Sequence, residues 1–126
     1  MTITKAVLNN GLKVANFSSP HPFVFEDGTS LGACSPERAK DLMLQAVETE
    51  VPNEGGWTDI GLEFRMTEAV ASALDEVETD TDVQVLLVPL PVMTAIRSAG
   101  RPIGKARVIR VVDRVSKAIS CNKFCV

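Results

Sequence analysis

Aromatic residues and histidine are scarce in this sequence, and their scarcity argues against several functions. The 126 residues include no tyrosine, one tryptophan, five phenylalanines and one histidine. Proteins that bind single-stranded nucleic acid without sequence preference stack the bases on aromatic side chains, so this class is not favoured. A zinc site needs four ligands, and His21 lies far in sequence from the Cys121 and Cys125 pair. We therefore predict neither a metal site nor another cofactor.

Cysteines and long apolar runs are also few. Three cysteines are an odd number and do not make a disulfide framework, so we expect free thiols. The longest apolar run, residues 85–88, is far shorter than the ~20 residues that span a bilayer. The first residues lack the basic and apolar regions of a secretory signal. These features predict a cytoplasmic protein with no membrane partner.

Charge is distributed unevenly along the chain. Residues 1–80 carry fourteen acidic and five basic side chains, whereas residues 81–126 carry two acidic and eight basic ones. Two interpretations are open. The two halves neutralise each other, in the fold or between subunits, or the second half forms a local basic surface for an anion. The net charge of −3 disfavours binding to duplex nucleic acid.

The length and the apolar periodicity predict one compact α/β (α+β) domain over residues 1–126, with a mixed, mainly antiparallel sheet and two or three flanking helices. An Asn-Asn-Gly turn at residues 9–11 joins two extended segments. Ser35 and Pro36 predict the start of a helix. Its apolar stripe, before Pro52, comprises Ala39, Leu42, Met43, Ala46 and Val47.

The rest of the chain alternates between strand and helix patterns. Residues 57–66 alternate as a half-buried strand with Ile60, Leu62, Phe64 and Met66 on its inner face. Thr67 caps a second helix, residues 83–90 form a central strand, and Pro91 opens a third helix that ends at Gly100. Residues 105–120 have valines at helical spacing, but their β-branched density favours a strand.

The strongest candidate binding site is the loop at residues 100–105. Glycines allow the backbone to approach a ligand, and basic side chains bind phosphate or carboxylate groups. An alternative is a helix stop followed by a turn with solvated bases. If the loop binds an anion, the predicted ligand-binding residues are Gly100, Arg101, Gly104, Lys105 and Arg107.

Two further residues are candidates for catalysis. Cys34 precedes the first predicted helix, whose positive end would lower the pKa of a thiol. His21 is the single imidazole that could serve as its base. The simpler interpretation is a small buried cysteine and an exposed loop histidine, so no catalytic residue is assigned.

The order of segments resembles a small viral and mobile-element family that includes the viral anti-CRISPR ring nucleases. The resemblance covers about residues 5–110 and rests on four short stretches: residues 6–9 with 23–25, residues 32–35, residues 51–53 with 62–65, and residues 100–105. It implies a homodimer with a mixed sheet and flanking helices that binds a cyclic oligonucleotide across the subunit interface. The family's catalytic histidine has no counterpart here, because the matching stretch reads Gly-Ala-Cys-Ser at residues 32–35.

These observations predict binding rather than catalysis. The leading hypothesis is a phage or mobile-element accessory protein that sequesters a small anionic, nucleotide-like signalling ligand in counter-immunity. One alternative is a homo-oligomeric or protein-binding module. Another is a metal-independent phosphodiesterase that acts on a cyclic nucleotide.

Overall fold

A computed structural model of the protein describes residues 3–126. Within this range, the helices are α1 (Pro36–Asp41), α2 (Glu68–Glu78) and α3 (Leu90–Ser98). The strands are β1 (Thr4–Val7), β2 (Lys13–Asn16), β3 (Phe23–Val24), β4 (Ser30–Leu31), β5 (Ala46–Pro52), β6 (Thr58–Phe64), β7 (Val85–Leu87) and β8 (Ala106–Arg107). The predicted α+β class with mixed sheets and flanking helices is confirmed.

The central sheet has the strand order β1-β2-β7-β8. β1 is antiparallel to β2 through the predicted turn at residues 9–11, whereas β2, β7 and β8 are parallel to one another. The predicted central strand is confirmed in position, since β7 lies between β2 and β8. It is shorter than the predicted residues 83–90, because it ends at Leu87 and Leu90 already begins α3. β3 pairs with β4, and β5 pairs with β6, as separate antiparallel sheets.

The core lies on both faces of the central sheet because successive residues of a strand point in opposite directions. Ala15 pairs in register with Leu86, and both face the cluster that contains the buried sides of α2 and α3. Val14 and Leu87 face a second cluster with Phe25, which also includes Leu31 and Ile119. The sheet is thus covered by helices on one side and by β3, β4 and C-terminal residues on the other.

The predicted starts of α1 and α2 are confirmed by their caps. The Ser35 hydroxyl accepts a hydrogen bond from the Arg38 amide at 3.2 Å. The Thr67 hydroxyl accepts one from the Val70 amide, also at 3.2 Å. Each cap satisfies an amide that lacks a partner within its helix, which fixes where the helix begins.

The predicted extent of the first helix is wrong. α1 ends at Asp41, and the residues that extended its apolar stripe belong elsewhere. Leu42 and Leu44 turn inward to the core, Met43 is exposed, and Ala46 and Val47 begin β5. The alternation of β-branched residues at positions 47, 49 and 51 favours a strand, and pairing with β6 outweighs the helical spacing.

Two other predictions are corrected. β6 is a strand, as predicted, but Ile60 and Leu62 are exposed rather than half-buried, because the β5–β6 hairpin projects from the core. Of residues 105–120, the regular strand is short, Ala106–Arg107. The rest is irregular chain with isolated bridges from Val108 to Cys125, from Val111 to Ile119 and from Ile119 to Phe25.

Candidate functional site

A cavity of about 460 Å³ lies where the three parallel strands β2, β7 and β8 end. Its walls come from residues that follow each strand, at positions 18–20, 88–92 and 108–109, and from residues 42–44 after α1. Parallel sheets bind ligands outside the carboxyl ends of their strands. We call the part of the sheet where these three strands end the carboxyl edge, and the part where they begin the amino edge.

The lining of the cavity is almost entirely apolar. Among the residues that the structure describes, Ser18 and Ser19 are the only lining residues with polar side chains. Leu90 stands at the mouth with 65% of its surface exposed. Small-molecule sites have volumes of about 300–1,000 Å³ and combine an apolar lining with a few polar groups. The cavity therefore has the size and chemistry to hold an uncharged group.

The Asn16 side chain holds in place the residues after β2 that form one wall of the cavity. Its side chain is completely buried and donates through Nδ2 to the carbonyl oxygens of Ser19 and Gly32, both at 3.0 Å. Its Oδ1 accepts from the Ser19 amide at 2.8 Å. A buried polar group needs such partners, and three bonds from one amide hold residues 16–19 in a single conformation.

Arg38 joins α1 to the same wall. Its Nε donates to the Phe17 carbonyl oxygen at 2.8 Å, and its guanidinium carbon lies 5.6 Å from the centre of the Phe17 ring. A cation above an aromatic face is attracted by the ring quadrupole. The contact holds α1, and the residues 42–44 that follow it, against the end of β2.

The start of α3 forms another wall and is poorly suited to an anion. Helix starts bind phosphate through free backbone amides. Pro89 is the N-cap of α3 and Pro91 lies in its first turn, so two of these positions have no N–H group. Within residues 3–126, no side chain caps this end of the helix. The wall presents proline rings and Leu90 instead.

The predicted site at residues 100–105 lies at the amino edge, between α3 and β8. Arg101 forms an ion pair with Asp75 of α2. The Lys105 ammonium donates to the carbonyl oxygens of Val77 at 3.1 Å and Asp80 at 2.7 Å. Arg107 donates through Nη1 to the carbonyl oxygens of Gly104 and Ala106. The basic side chains of this site thus have partners within the chain.

The glycines of this loop have conformational roles. Gly100 has φ +67° and follows the C-cap of α3, Ala99. The Arg101 amide donates back to the Ile96 carbonyl oxygen at 3.1 Å, which ends the helix. Gly104 has φ +53°, and a Cβ there would overlap the carboxylate of Glu78. That carboxylate accepts the Lys105 amide at 2.8 Å. The loop is packed on the end of α2.

Ion pairs continue along the amino edge. Lys5 Nζ lies 2.6 Å from Asp80 Oδ2, and Lys13 Nζ lies 4.0 Å from Asp82 Oδ1. The hydrogen bond from Lys5 lowers the pKa of Asp80, and the same bond raises the pKa of Lys5. Of the four ion pairs among the described residues, one, Arg101 with Asp75, joins a base of residues 81–126 to an acid of residues 1–80. Neutralisation of one half of the sequence by the other therefore stays an interpretation.

The two catalytic candidates do not form a nucleophile and base pair. Burial raises the pKa of the Cys34 thiol, whereas a nucleophile needs a lowered one. Cys34 Sγ donates to the Ser35 carbonyl oxygen at 3.5 Å, and in the described chain it makes no hydrogen bond to His21. His21 is exposed, and its backbone is held by the Ser19 hydroxyl.

The cavity was missed by sequence reasoning because its lining comes from four separate segments. One signal was present: an apolar strand runs directly into Pro89 and Pro91, which places a rigid turn at the carboxyl end of a buried strand. Asn16 gave no signal, since it is the last residue of β2 and an asparagine at the end of a strand is typical of exposed turns.

Comparison of the chain with protein-family models, with curated proteins and with solved structures gives no match. The resemblance to the viral family therefore stays a prediction. Among the described residues there is no group of three or more His, Cys, Asp or Glu side chains arranged to hold a metal ion. Over the same residues, no helix is both long and apolar enough to cross a bilayer.

Proposed function

We propose that the protein binds a small, uncharged and largely apolar molecule, or the apolar part of a larger one, in the cavity at the carboxyl edge. The observation that carries the proposal is the lining itself. It joins a volume of about 460 Å³ to apolar walls and two serines, with no ionisable side chain among the described lining residues. Such a site offers burial and little hydrogen bonding, because the Ser19 hydroxyl already donates to the His21 carbonyl oxygen. This supports binding rather than acid–base or nucleophilic catalysis.

A nucleotide-like ligand is the class predicted from the sequence, and the base of such a ligand would be the part that binds in the cavity. A purine or pyrimidine ring is flat and uncharged, so it suits the apolar cavity, and its phosphates would remain in solvent at the mouth. Arg101 and Lys105 lie at the amino edge and would not contact phosphates of a ligand bound here. Direct phosphate binding by the 100–105 loop is therefore a separate prediction.

The test uses an uncharged fluorescent probe, N-phenyl-1-naphthylamine, and the variant Leu90→Glu. The substitution puts a carboxylate at the cavity mouth, and a glutamate in the first turn of α3 favours the helix, so folding is preserved. We expect the wild-type chain to bind the probe and Leu90→Glu to bind it about tenfold more weakly, because a desolvated charge is costly.

The matched control is Val7→Glu. Val7 is 62% exposed on β1, close to the 65% of Leu90, but it lies outside the cavity. This control should bind the probe as the wild type does. Displacement of the probe by adenosine, with adenosine monophosphate no more effective, would favour a base as the occupant. A wild-type chain that does not bind the probe, or equal binding by both variants, contradicts the proposal.

A further inference from the structure

The β5–β6 hairpin, residues 46–64, extends from the core with nearly every side chain exposed. Only Val47 and Phe64 are half-buried, and Phe64 anchors the base of the hairpin against the core. Isolated two-stranded hairpins are marginally stable in water. A seven-pair ladder that leaves large apolar residues uncovered is typical of a segment that packs against another surface.

Apolar side chains lie on both faces of the hairpin. Register places Ile60 opposite Glu50, and Leu62 opposite Glu48, on one face. Val51 lies on the other face, and Leu62 and Val51 are 62% and 61% exposed. At the tip, Trp57 covers Gly55 and donates through Nε1 to Asp59 at 3.0 Å, yet remains 59% exposed. Tryptophan is among the residues that contribute most to protein interfaces.

The hairpin is also strongly acidic. Residues 46–64 contain no basic residue and five acidic ones: Glu48, Glu50, Glu54, Asp59 and Glu63. All five are exposed. A partner surface must therefore combine apolar contacts with positive charge.

The loop at residues 110–117 has this complementary composition. It exposes three valines, of which Val115 is 94% exposed, together with Arg110, Arg114 and Lys117. Its one acid, Asp113, accepts a hydrogen bond from the Val115 amide at 2.9 Å, so this carboxylate is engaged within the loop. The Val111 to Ile119 bridge closes the loop.

We propose that the β5–β6 hairpin of one copy packs against the 110–117 loop of a second copy. Each surface is exposed in the single chain, so neither covers the other there. Because every copy carries both surfaces, a twofold symmetric dimer forms the contact twice. The valines of the loop meet the apolar residues of the hairpin, and the arginines meet its glutamates. This inference is independent of what the cavity binds.

Two charge-reversal variants of the full chain test the contact. One is Glu48→Lys with Glu50→Lys on the hairpin, and the other is Arg110→Glu with Arg114→Glu on the loop. Sedimentation velocity at low salt should show a wild-type dimer. Each variant alone should self-associate about tenfold more weakly or worse, because like charges then face each other.

An equimolar mixture of the two variants provides the decisive measurement. The lysine hairpin of the first meets the glutamate loop of the second, and the glutamate hairpin of the second meets the arginine loop of the first. The mixture should therefore associate as the wild type does. Simple loss of folding in either variant would not allow this recovery.

The control is Asp41→Lys with Glu76→Lys, which changes net charge as much as the hairpin variant does at exposed positions outside it. Its self-association should equal that of the wild type. A wild-type chain that is monomeric throughout the concentration range overturns the proposal. It is also overturned by a dimer that neither reversal weakens, or by a mixture that stays monomeric.

Discussion

The two edges of the central sheet differ in almost every respect. At the amino edge, Lys5, Arg101 and Lys105 bind carboxylates or carbonyl oxygens at the end of α2 and beyond it. At the carboxyl edge, the chain leaves a cavity with apolar walls. The charged edge is filled and the apolar edge is open. An excess of basic residues in a sequence therefore does not by itself locate a ligand site, since the fold can use those residues to join its own elements.

The largest effect should come from the carboxyl edge, with Asn16→Ala. The substitution removes three hydrogen bonds and leaves the Ser19 amide and the carbonyl oxygens of Ser19 and Gly32 without their side-chain partner. We expect the free energy of unfolding to fall by about 2–4 kcal/mol, because buried polar groups without partners are costly. Urea-induced unfolding measures this loss, and probe binding at the cavity should weaken with it.

Gln45→Ala is the control, since the Gln45 side-chain amide is exposed and makes no hydrogen bond to another of the described residues. It should change stability by less than about 0.5 kcal/mol. If Asn16→Ala is as stable as this control, the wall after β2 does not depend on the Asn16 amide.

A smaller loss is expected at the amino edge, with Lys105→Met. Methionine keeps the length of the side chain but cannot donate to the Val77 and Asp80 carbonyl oxygens at the end of α2. Removing a cation from a helix carboxyl end, together with its hydrogen bonds, should cost about 1–2 kcal/mol. Thermal or urea unfolding checks this value, and Lys105→Arg should recover part of the loss. Unchanged stability would show that the loop is held by its backbone alone.

The smallest effect is a dependence on pH that belongs to the amino edge. The pKa of Asp80 in the fold is lowered below its ordinary 3.8, mainly by the hydrogen bond from Lys5. The carboxylate therefore stabilises the fold above that value, and the contribution is lost as pH falls through the lowered pKa. Stability measured between about pH 5 and about pH 3 should decline less steeply in Asp80→Asn than in the wild type. An identical slope in the two proteins would exclude Asp80 as a source of the acid sensitivity.

Much of the fold was predictable because its signals are local. The turn at residues 9–11, the Ser35 and Thr67 caps and the proline that opens α3 each depend on neighbouring residues. Residues 42–52 were assigned wrongly, because Leu42 and Leu44 respond to the core, and the β5 residues pair with a strand that lies later in the sequence. The strand favoured over residues 105–120 is regular only at Ala106–Arg107 for the same reason, since other residues of the segment form bridges outside it, Val108 to Cys125 and Ile119 to Phe25.

The site was less predictable than the fold. The 100–105 loop has its expected glycine turns, but the partners of Arg101 and Lys105 are brought to it by α2, which no local pattern indicates. The cavity forms where segments from four parts of the chain meet. Its position follows from the parallel order of β2, β7 and β8, which depends on topology rather than on any motif.

The parallel pairing of β2 with β7 also determines when the protein can fold during synthesis. It joins Val14 to Val85, and β8 adds its pairing only at Ala106. The β1–β2 and β5–β6 hairpins join residues close in sequence, so they can form while the chain is still being made. The backbone groups of β2 that pair with β7 stay unpaired until most of the chain has left the ribosome. Closing so long a loop slows this last step of folding. A nascent chain stalled before residue 85 would expose both the unpaired side of β2 and the apolar side chains of the β5–β6 hairpin, which are surfaces that promote aggregation.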